Sequence, residues 1–202
     1  PSPVTVMDAA SIARLTGTHL ADALTREGGV YIKDYGAPGS LKTVSQRGLG
    51  AEHTLLLLNG KRINSVQNGL FDVGLIPLDE LERIEVVQGG QSASFGADAV
   101  AGVVNIVTRD PRAPAPAGIT LSGGTAGYNR VHLSAGAGDG TLGVRGSFGQ
   151  ESGRGDYAYR FDDGTGEIGL TRENADFRSR SGSLRAAATV GGGTDLSVEA
   201  DL

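Results

Sequence analysis

The stretch that decides the fold is residues 54–63, Thr54-Leu55-Leu56-Leu57-Leu58-Asn59-Gly60-Lys61-Arg62-Ile63. A short, continuous apolar run bounded by polar residues is typical of a buried strand. Asn-Gly is the strongest short-range signal for a two-residue type I′ turn. The stretch therefore predicts a buried strand, a tight turn and a return strand.

Short helical and strand patterns flank this hairpin on both sides. Upstream, the sequence predicts strands over 4–6, 30–32 and 44–48 and helical turns over 9–15 and 20–24. Downstream, Pro77 precedes a predicted helix over 78–83, and strands are expected over 84–87 and 103–107. We interpret residues 1–112 as an α+β domain with a mixed sheet and short helices.

Composition excludes several classes of protein. The net charge is −5 with scattered basic residues, so no nucleic-acid footprint is present and no nucleic-acid partner is expected. The chain has no cysteine, which excludes disulfides. No apolar run approaches the ~18 residues that a membrane-spanning helix needs. Glycine is abundant, at 33 of 202 residues, which suits a β-rich chain with many tight turns.

The pattern changes after the proline- and alanine-rich linker over 111–116, where we place the boundary between domains 1–112 and 113–202. Small apolar residues then alternate with polar ones over 131–137, 142–148, 184–190 and 196–202. Such alternation, with short turns such as Asp139-Gly140 and a long polar loop over 151–176, is typical of outer-membrane strands. We count about five antiparallel strands. Because a membrane barrel closes with ~8 or more, we expect the start of an incomplete transmembrane β-barrel.

A series of short motifs in a fixed order carries a family resemblance. The series is Arg47-Gly48, the hairpin with Asn59-Gly60, Ile76-Pro77, Glu82-Arg83-Ile84-Glu85-Val86, and Ser92-Ala93-Ser94-Phe95-Gly96-Ala97-Asp98-Ala99-Val100-Ala101-Gly102-Val103-Val104-Asn105-Ile106. It resembles the plug domain of TonB-dependent receptors, especially the cobalamin and siderophore importers, over about residues 3–109. The family usually has Arg-Gly-Pro where this chain has Gln88-Gly89-Gly90. In the family that arginine and the one at the position of Arg47 latch the plug to barrel glutamates, so the resemblance leaves Arg47 as the latch here.

The resemblance implies a function, a location and partners. We expect active import of a scarce nutrient, such as cobalamin or a ferric siderophore, across the bacterial outer membrane. The energy-transducing TonB complex would act through an N-terminal coupling segment that we expect to lie outside this chain. The remaining barrel strands would come from the rest of the receptor or from another chain.

Two alternatives stay open from the sequence. The first keeps the family but changes the cargo to an oligosaccharide or a peptide. Oligosaccharide receptors of the family usually carry Asp-Gly where this chain has Asn59-Gly60, which argues mildly against that class. The second is a plugged surface scaffold for adhesion or signalling that transports nothing.

Two loops are candidates for ligand contact. Loop A comprises residues 34–40 and loop B residues 64–72; in the resembling family these loops form the substrate-facing apices of the plug. Their aromatic, amide and glycine content suits a large ligand with polar and apolar parts. The candidate ligand-binding residues are Tyr35, Gly36, Ser40, Gln67, Asn68, Leu70 and Phe71. The alternative is that both loops are simple surface turns.

The polar loop also contains clustered carboxylates, which are ligands suited to Ca²⁺. Cobalamin receptors order extracellular loops with this ion. The candidate ligands are Asp156, Asp162, Asp163 and Glu167. An ordinary solvated acidic loop is the competing interpretation, because the spacing of an EF-hand is absent.

The sequence contains no arrangement of residues that points to an enzyme. Two GxGxxG matches, over 138–143 and 164–169, lie in a turn and in a polar loop rather than between a strand and a helix. The three histidines are far apart, and no GxSxG motif occurs. We therefore expect no catalytic residues and no organic cofactor.

Overall fold

The structure is a computed structural model of the 202-residue chain, and it describes residues 3–36, 39–162, 164, 166–191 and 194–201. The chain divides into two compact units. The first consists of Pro1–Gly36 with Ser40–Arg109, and the second of Ala37–Gly39 with Asp110–Leu202. The domain boundary placed between residues 112 and 113 stays a prediction.

Short elements build the first unit. Its strands are β1 (Val4–Asp8), β2 (Val30–Asp34), β3 (Lys42–Gln46), β4 (Thr54–Leu58), β5 (Lys61–Arg62), β6 (Leu81–Gln88) and β7 (Gly102–Thr108). Its α-helices are α1 (Ala9–Ala13), α2 (Leu20–Leu24) and α3 (Ser92–Phe95), and single 3₁₀ turns occur at Ala51–His53, Val73–Leu75, Leu78–Glu80 and Ala97–Ala99.

Five of these strands form a mixed sheet in the order β1-β6-β7-β4-β5. Strands β4 and β7 are parallel, and the other neighbours are antiparallel. Asn59 and Gly60 have φ values of 52° and 77°, as the predicted type I′ turn requires. Strands β2 and β3 form a separate two-stranded hairpin. The mixed sheet with short helices that the sequence predicts is confirmed.

The sheet is covered on both faces. On one face, leucine, valine and isoleucine side chains of β4, β6 and β7 pack with those of α1, α2 and β3. The other face has a smaller core of Leu55, Leu57, Val103 and Ala99. Burial on both faces explains why β4 has four consecutive leucines rather than an alternating pattern.

The helix predicted over residues 78–83 is wrong in its second half. Only Leu78–Glu80 forms a 3₁₀ turn, and β6 begins at Leu81. Leu81 is paired with Thr108 of β7 and is fully buried. Pairing across the sheet therefore overrides the weak helical preference of this segment.

The second unit is antiparallel throughout. Its strands are β8 (Gly118–Gly123), β9 (Asn129–Gly138), β10 (Leu142–Gly153), β11 (Tyr157–Asp162), β12 (Glu167–Arg172), β13 (Phe177–Val190) and β14 (Thr194–Asp201). Five strands form a sheet in the order β14-β13-β10-β9-β8. Within the described residues β8 and β14 are not paired with each other, so this sheet is open, as predicted.

The two faces of this sheet have opposite character. Apolar side chains on one face are exposed: Ile119, Leu121, Leu133, Leu142, Phe148, Leu184, Leu196 and Val198 are each at least 43% accessible. Charged and polar side chains on the other face are buried, among them Arg130, His132, Arg145 and Arg185. This arrangement is the inverse of a soluble sandwich and matches the alternation of outer-membrane strands. No α-helix in the described part of the chain has the length and apolar character to cross a membrane.

The segment over 151–176 is not the long loop that the sequence predicts. Strand β10 extends to Gly153, and β11 and β12 pair as a separate two-stranded hairpin, from Tyr157 opposite Arg172 to Asp162 opposite Glu167. Gly155 and Asn174 adopt positive φ values in the two short connections to β10 and β13. Tyr157, Tyr159 and Phe161 alternate with smaller or charged residues, and this strand signal was obscured by the many acidic residues nearby.

Candidate functional site

Loop A connects β2 and β3. The main-chain N–H of Tyr35 donates to the carbonyl of Leu41 at 3.1 Å, and the N–H of Gly36 donates to Asp34 Oδ1 at 3.0 Å. The Tyr35 ring is half exposed, and the Lys33 ammonium lies 4.6 Å from its centroid. Residues 37 and 38 of this loop lie outside the described residues. Tyr35 is therefore presented to solvent on a fixed backbone.

Loop B is held by one buried side chain. Asn64 Oδ1 accepts from the N–H of Leu56 at 2.7 Å, while Nδ2 donates to the carbonyls of Thr54 at 3.1 Å and Gly69 at 2.8 Å. Inside the loop, the N–H of Gly69 donates to the carbonyl of Ser65 at 2.8 Å. These bonds tie the loop to β4 and make it an ordered projection.

The candidate residues of loop B fall into two groups. Gln67 and Asn68 are exposed, and Asn68 Oδ1 accepts from the N–H of Leu70 at 3.0 Å. Phe71 is half-buried and packs against the main core, so its ring has a structural role that the sequence did not reveal. Val66, which the sequence analysis did not select, is fully exposed. A single apolar residue between the polar residues Ser65 and Gln67 was the signal that could have identified it.

The stems of both loops meet at Lys42. The main-chain N–H of Lys42 donates to Asp72 Oδ1 at 3.0 Å, and its ammonium lies 2.7 Å from Asp34 Oδ2. Asp72 closes loop B, and Asp34 opens loop A. The structure thus brings the two predicted loops together through one residue that no sequence pattern marked, because the bond from Lys42 to Asp72 spans 30 residues.

The predicted latch residue occupies a strained turn. Arg47 and Gly48 have φ values of 55° and 73°, and the N–H of Leu49 donates to the carbonyl of Gln46 at 3.0 Å. Arg47 is exposed and forms no ion pair with any described residue. Gln88, which stands where the family has arginine, donates through Nε2 to the carbonyl of Gly28. The latch itself stays a prediction.

The proposed calcium ligands do not converge within the described residues. Glu167 is 3.1 Å from Arg160, Asp156 is 3.6 Å from Arg154, and Asp162 accepts from the N–H of Gly164. No group of three or more His, Cys, Asp or Glu side chains in the described ranges could hold a metal ion. Asp163 lies outside those ranges, so the calcium site stays a prediction.

Comparison with known proteins decides the family. The family model described as the TonB-dependent receptor plug domain matches residues 1–103. The chain belongs to the TonB-dependent receptor plug family. Its first unit is the plug, and with this membership it is a protein of the bacterial outer membrane.

One curated relative is the vitamin B12 transporter BtuB of Photobacterium profundum. It is 34% identical over 142 residues, which cover 70% of this chain and 23% of that protein. The chain thus spans about a quarter of that relative's length. This relative is named as a transporter.

Solved structures show the same fold across both units. The ferric enterobactin receptor PfeA of Pseudomonas aeruginosa, in complex with enterobactin, aligns with a TM-score of 0.70 and 22% identity, covering 100% of this chain and 33% of that one. The siderophore receptor PirA of Acinetobacter baumannii aligns with a TM-score of 0.72 and 21% identity, covering 98% and 31%. The fold of a plug followed by the first strands of an unclosed barrel is confirmed.

Proposed function

We propose that this chain is the ligand-receiving part of an outer-membrane receptor that imports a scarce nutrient, such as cobalamin or a ferric siderophore. The observation that carries the proposal is the plug match over residues 1–103 together with a relative named as a vitamin B12 transporter. The hydrogen-bonded backbone at Tyr35 and Gly36 and in loop B supports it, because groups held in place before binding lower the cost of ordering them.

The chemistry of the loops fits recognition rather than catalysis. Tyr35 offers a ring for apolar contact, and the exposed amides of Gln67 and Asn68 offer donors and acceptors. We propose that these groups bind the nutrient and that the protein has no enzymatic activity. The energy for release would come from the TonB complex.

The experiment is a parallel binding and uptake assay on the receptor in outer membranes. Cyanocobalamin, ferric enterobactin and a maltooligosaccharide are titrated side by side, and uptake is followed in cells with and without TonB. We expect one of the first two compounds to bind and to enter only when TonB is present. Uptake of the oligosaccharide alone would favour the alternative cargo, and binding without any uptake would favour the surface scaffold.

A further inference from the structure

We propose that Lys42 is a positioning residue that holds loops A and B at a fixed spacing for the ligand. It acts on the ligand site of the proposed function, on which the inference rests. Lys42 is the first residue of β3 and stands between the two stems. It reaches loop A with its side chain and loop B with its backbone.

The link to loop A is a charge-assisted contact. The Lys42 ammonium lies 2.7 Å from Asp34 Oδ2, and the Lys42 side chain is only 20% exposed. The other carboxylate oxygen of Asp34 accepts from the N–H of Gly36 inside the loop. One carboxylate thus connects the turn of loop A to Lys42. Displacement of the Lys42 ammonium would therefore also displace the backbone beside Tyr35.

The link to loop B is a shared acceptor. Asp72 Oδ1 accepts from the N–H of Lys42 at 3.0 Å and from the N–H of Gly74 at 2.9 Å. The aliphatic stem of Lys42 also lies over Gly74, where a β-carbon would be 3.4 Å from Lys42 Cδ. A β-carbon at this position would approach Asp72 Oδ1 more closely, at 3.0 Å, so Gly74 lies against both the acceptor and the lysine stem.

The link to loop A is an ion pair of the side chain and the link to loop B is a hydrogen bond of the backbone, so each can be removed by its own substitution. Lys42→Met keeps the stem and the backbone bond to Asp72 but removes the ammonium. Asp72→Ala removes the acceptor for loop B and leaves the pair with Asp34. Lys42→Arg restores a cation on a stem of similar length. Lys61→Met removes an exposed lysine of β5 and serves as the matched control.

The test measures spacing and affinity on the same receptor in its membrane. Residues 1–202 contain no cysteine, so Ser40→Cys and Val66→Cys place one spin label in each loop once any cysteine elsewhere in the receptor has been replaced. The distance distribution between the labels is recorded without ligand. Affinity for cyanocobalamin and ferric enterobactin is then measured on unlabelled variants.

We expect Lys42→Met and Asp72→Ala to broaden the distance distribution and to weaken probe binding about fivefold, as the loss of one partly exposed charged contact allows. Lys42→Arg should keep the distance distribution and the affinity of the parent, and Lys61→Met should change neither of these two quantities. Unchanged distances in both variants would overturn the proposal, and so would broadened distances with unaltered affinity. If the parent receptor binds neither probe, the proposed cargo is wrong, while the ligand-free distances still decide whether Lys42 positions the loops.

Discussion

The side-chain amide of Gln46 occupies the space that a side chain at Gly102 would fill. A β-carbon built on Gly102 would overlap Gln46 Oε1 and the carbonyl of Val87. Gln46 is completely buried, and neither its Nε2 nor its Oε1 has a hydrogen-bond partner among the described residues. The hairpin of β2 and β3, which carries loop A, therefore contacts the sheet at Gly102. The contact is made by the Gln46 amide, which has no hydrogen-bond partner among the described residues.

This contact predicts that an apolar residue at position 46 stabilises the plug. Gln46→Met keeps the length of the side chain and removes two buried polar atoms, whose burial without a partner costs about 1–3 kcal/mol. We expect the free energy of plug unfolding in urea to rise by about 1 kcal/mol. Gln67→Met, at an exposed position of loop B, is the control and should change little. A lower urea midpoint for Gln46→Met would show that the amide is hydrogen-bonded after all.

Asn64 should be among the most sensitive positions of the plug. Asn64→Ala removes one acceptor and two N–H donors that together satisfy three main-chain groups, on Leu56, Thr54 and Gly69. Leaving such groups buried and unpaired should lower the free energy of unfolding by about 3 kcal/mol. Asn68→Ala, which removes one local bond at an exposed site, should cost about 0.5 kcal/mol. Equal losses for the two variants would contradict the role assigned to Asn64.

Arg47 offers a test of the latch against backbone strain. A non-glycine residue with a φ of 55° is strained, and asparagine tolerates this conformation better than arginine. If Arg47 pairs with barrel carboxylates, Arg47→Asn should lower the urea midpoint of the plug within the receptor. The reason is that the stabilising free energy lost with the ion pairs is larger than the backbone strain energy that the substitution relieves. Arg26→Asn, at another exposed site, should leave the midpoint unchanged. A higher midpoint for Arg47→Asn would mean that strain relief dominates and that no latch exists.

Glu85 predicts an acid-dependent loss of stability. A hydrogen bond from Asn105 at 2.8 Å and another from Arg83 at 2.6 Å lower the pKa of the Glu85 carboxyl. A folded-state pKa below the unfolded value stabilises the plug above about pH 4.3, and this stabilisation is lost as the pH falls further. Glu85→Gln should remove about half a kcal/mol of the difference in unfolding free energy between pH 7 and pH 3.5. Glu27→Gln should preserve the full difference, and an unaltered acid profile for Glu85→Gln would exclude this contribution.

The sequence predicted the strands well, since apolar runs and alternation follow directly from burial on two faces or one. The prediction of secondary structure failed where a residue pairs with a strand distant in sequence, and where many acidic residues made a strand resemble a loop. Leu81 became a strand residue because it pairs with Thr108, and the aromatic alternation of β11 was hidden among acids. In the candidate site, the loops were predictable from their turn-forming residues. Their link through Lys42 was not, since it depends on tertiary contacts across the chain.

The ligand prediction rests on Tyr35 and Phe71, which the structure places in different surroundings. Tyr35 is exposed, so Tyr35→Ala should leave plug stability unchanged and weaken ligand binding. Removing an aromatic anchor typically costs ~2 kcal/mol, about a thirtyfold loss of affinity.

Phe71 packs on the core, so Phe71→Ala should also lower the free energy of unfolding by about 2 kcal/mol or more, since it empties space beside buried residues. Phe71→Leu retains most of that packing and loses the ring, which isolates any contact with the ligand. Affinity and urea midpoints measured on the same preparations decide the matter: if Tyr35→Ala and Phe71→Leu both bind as tightly as the parent, the ligand site lies outside these two residues.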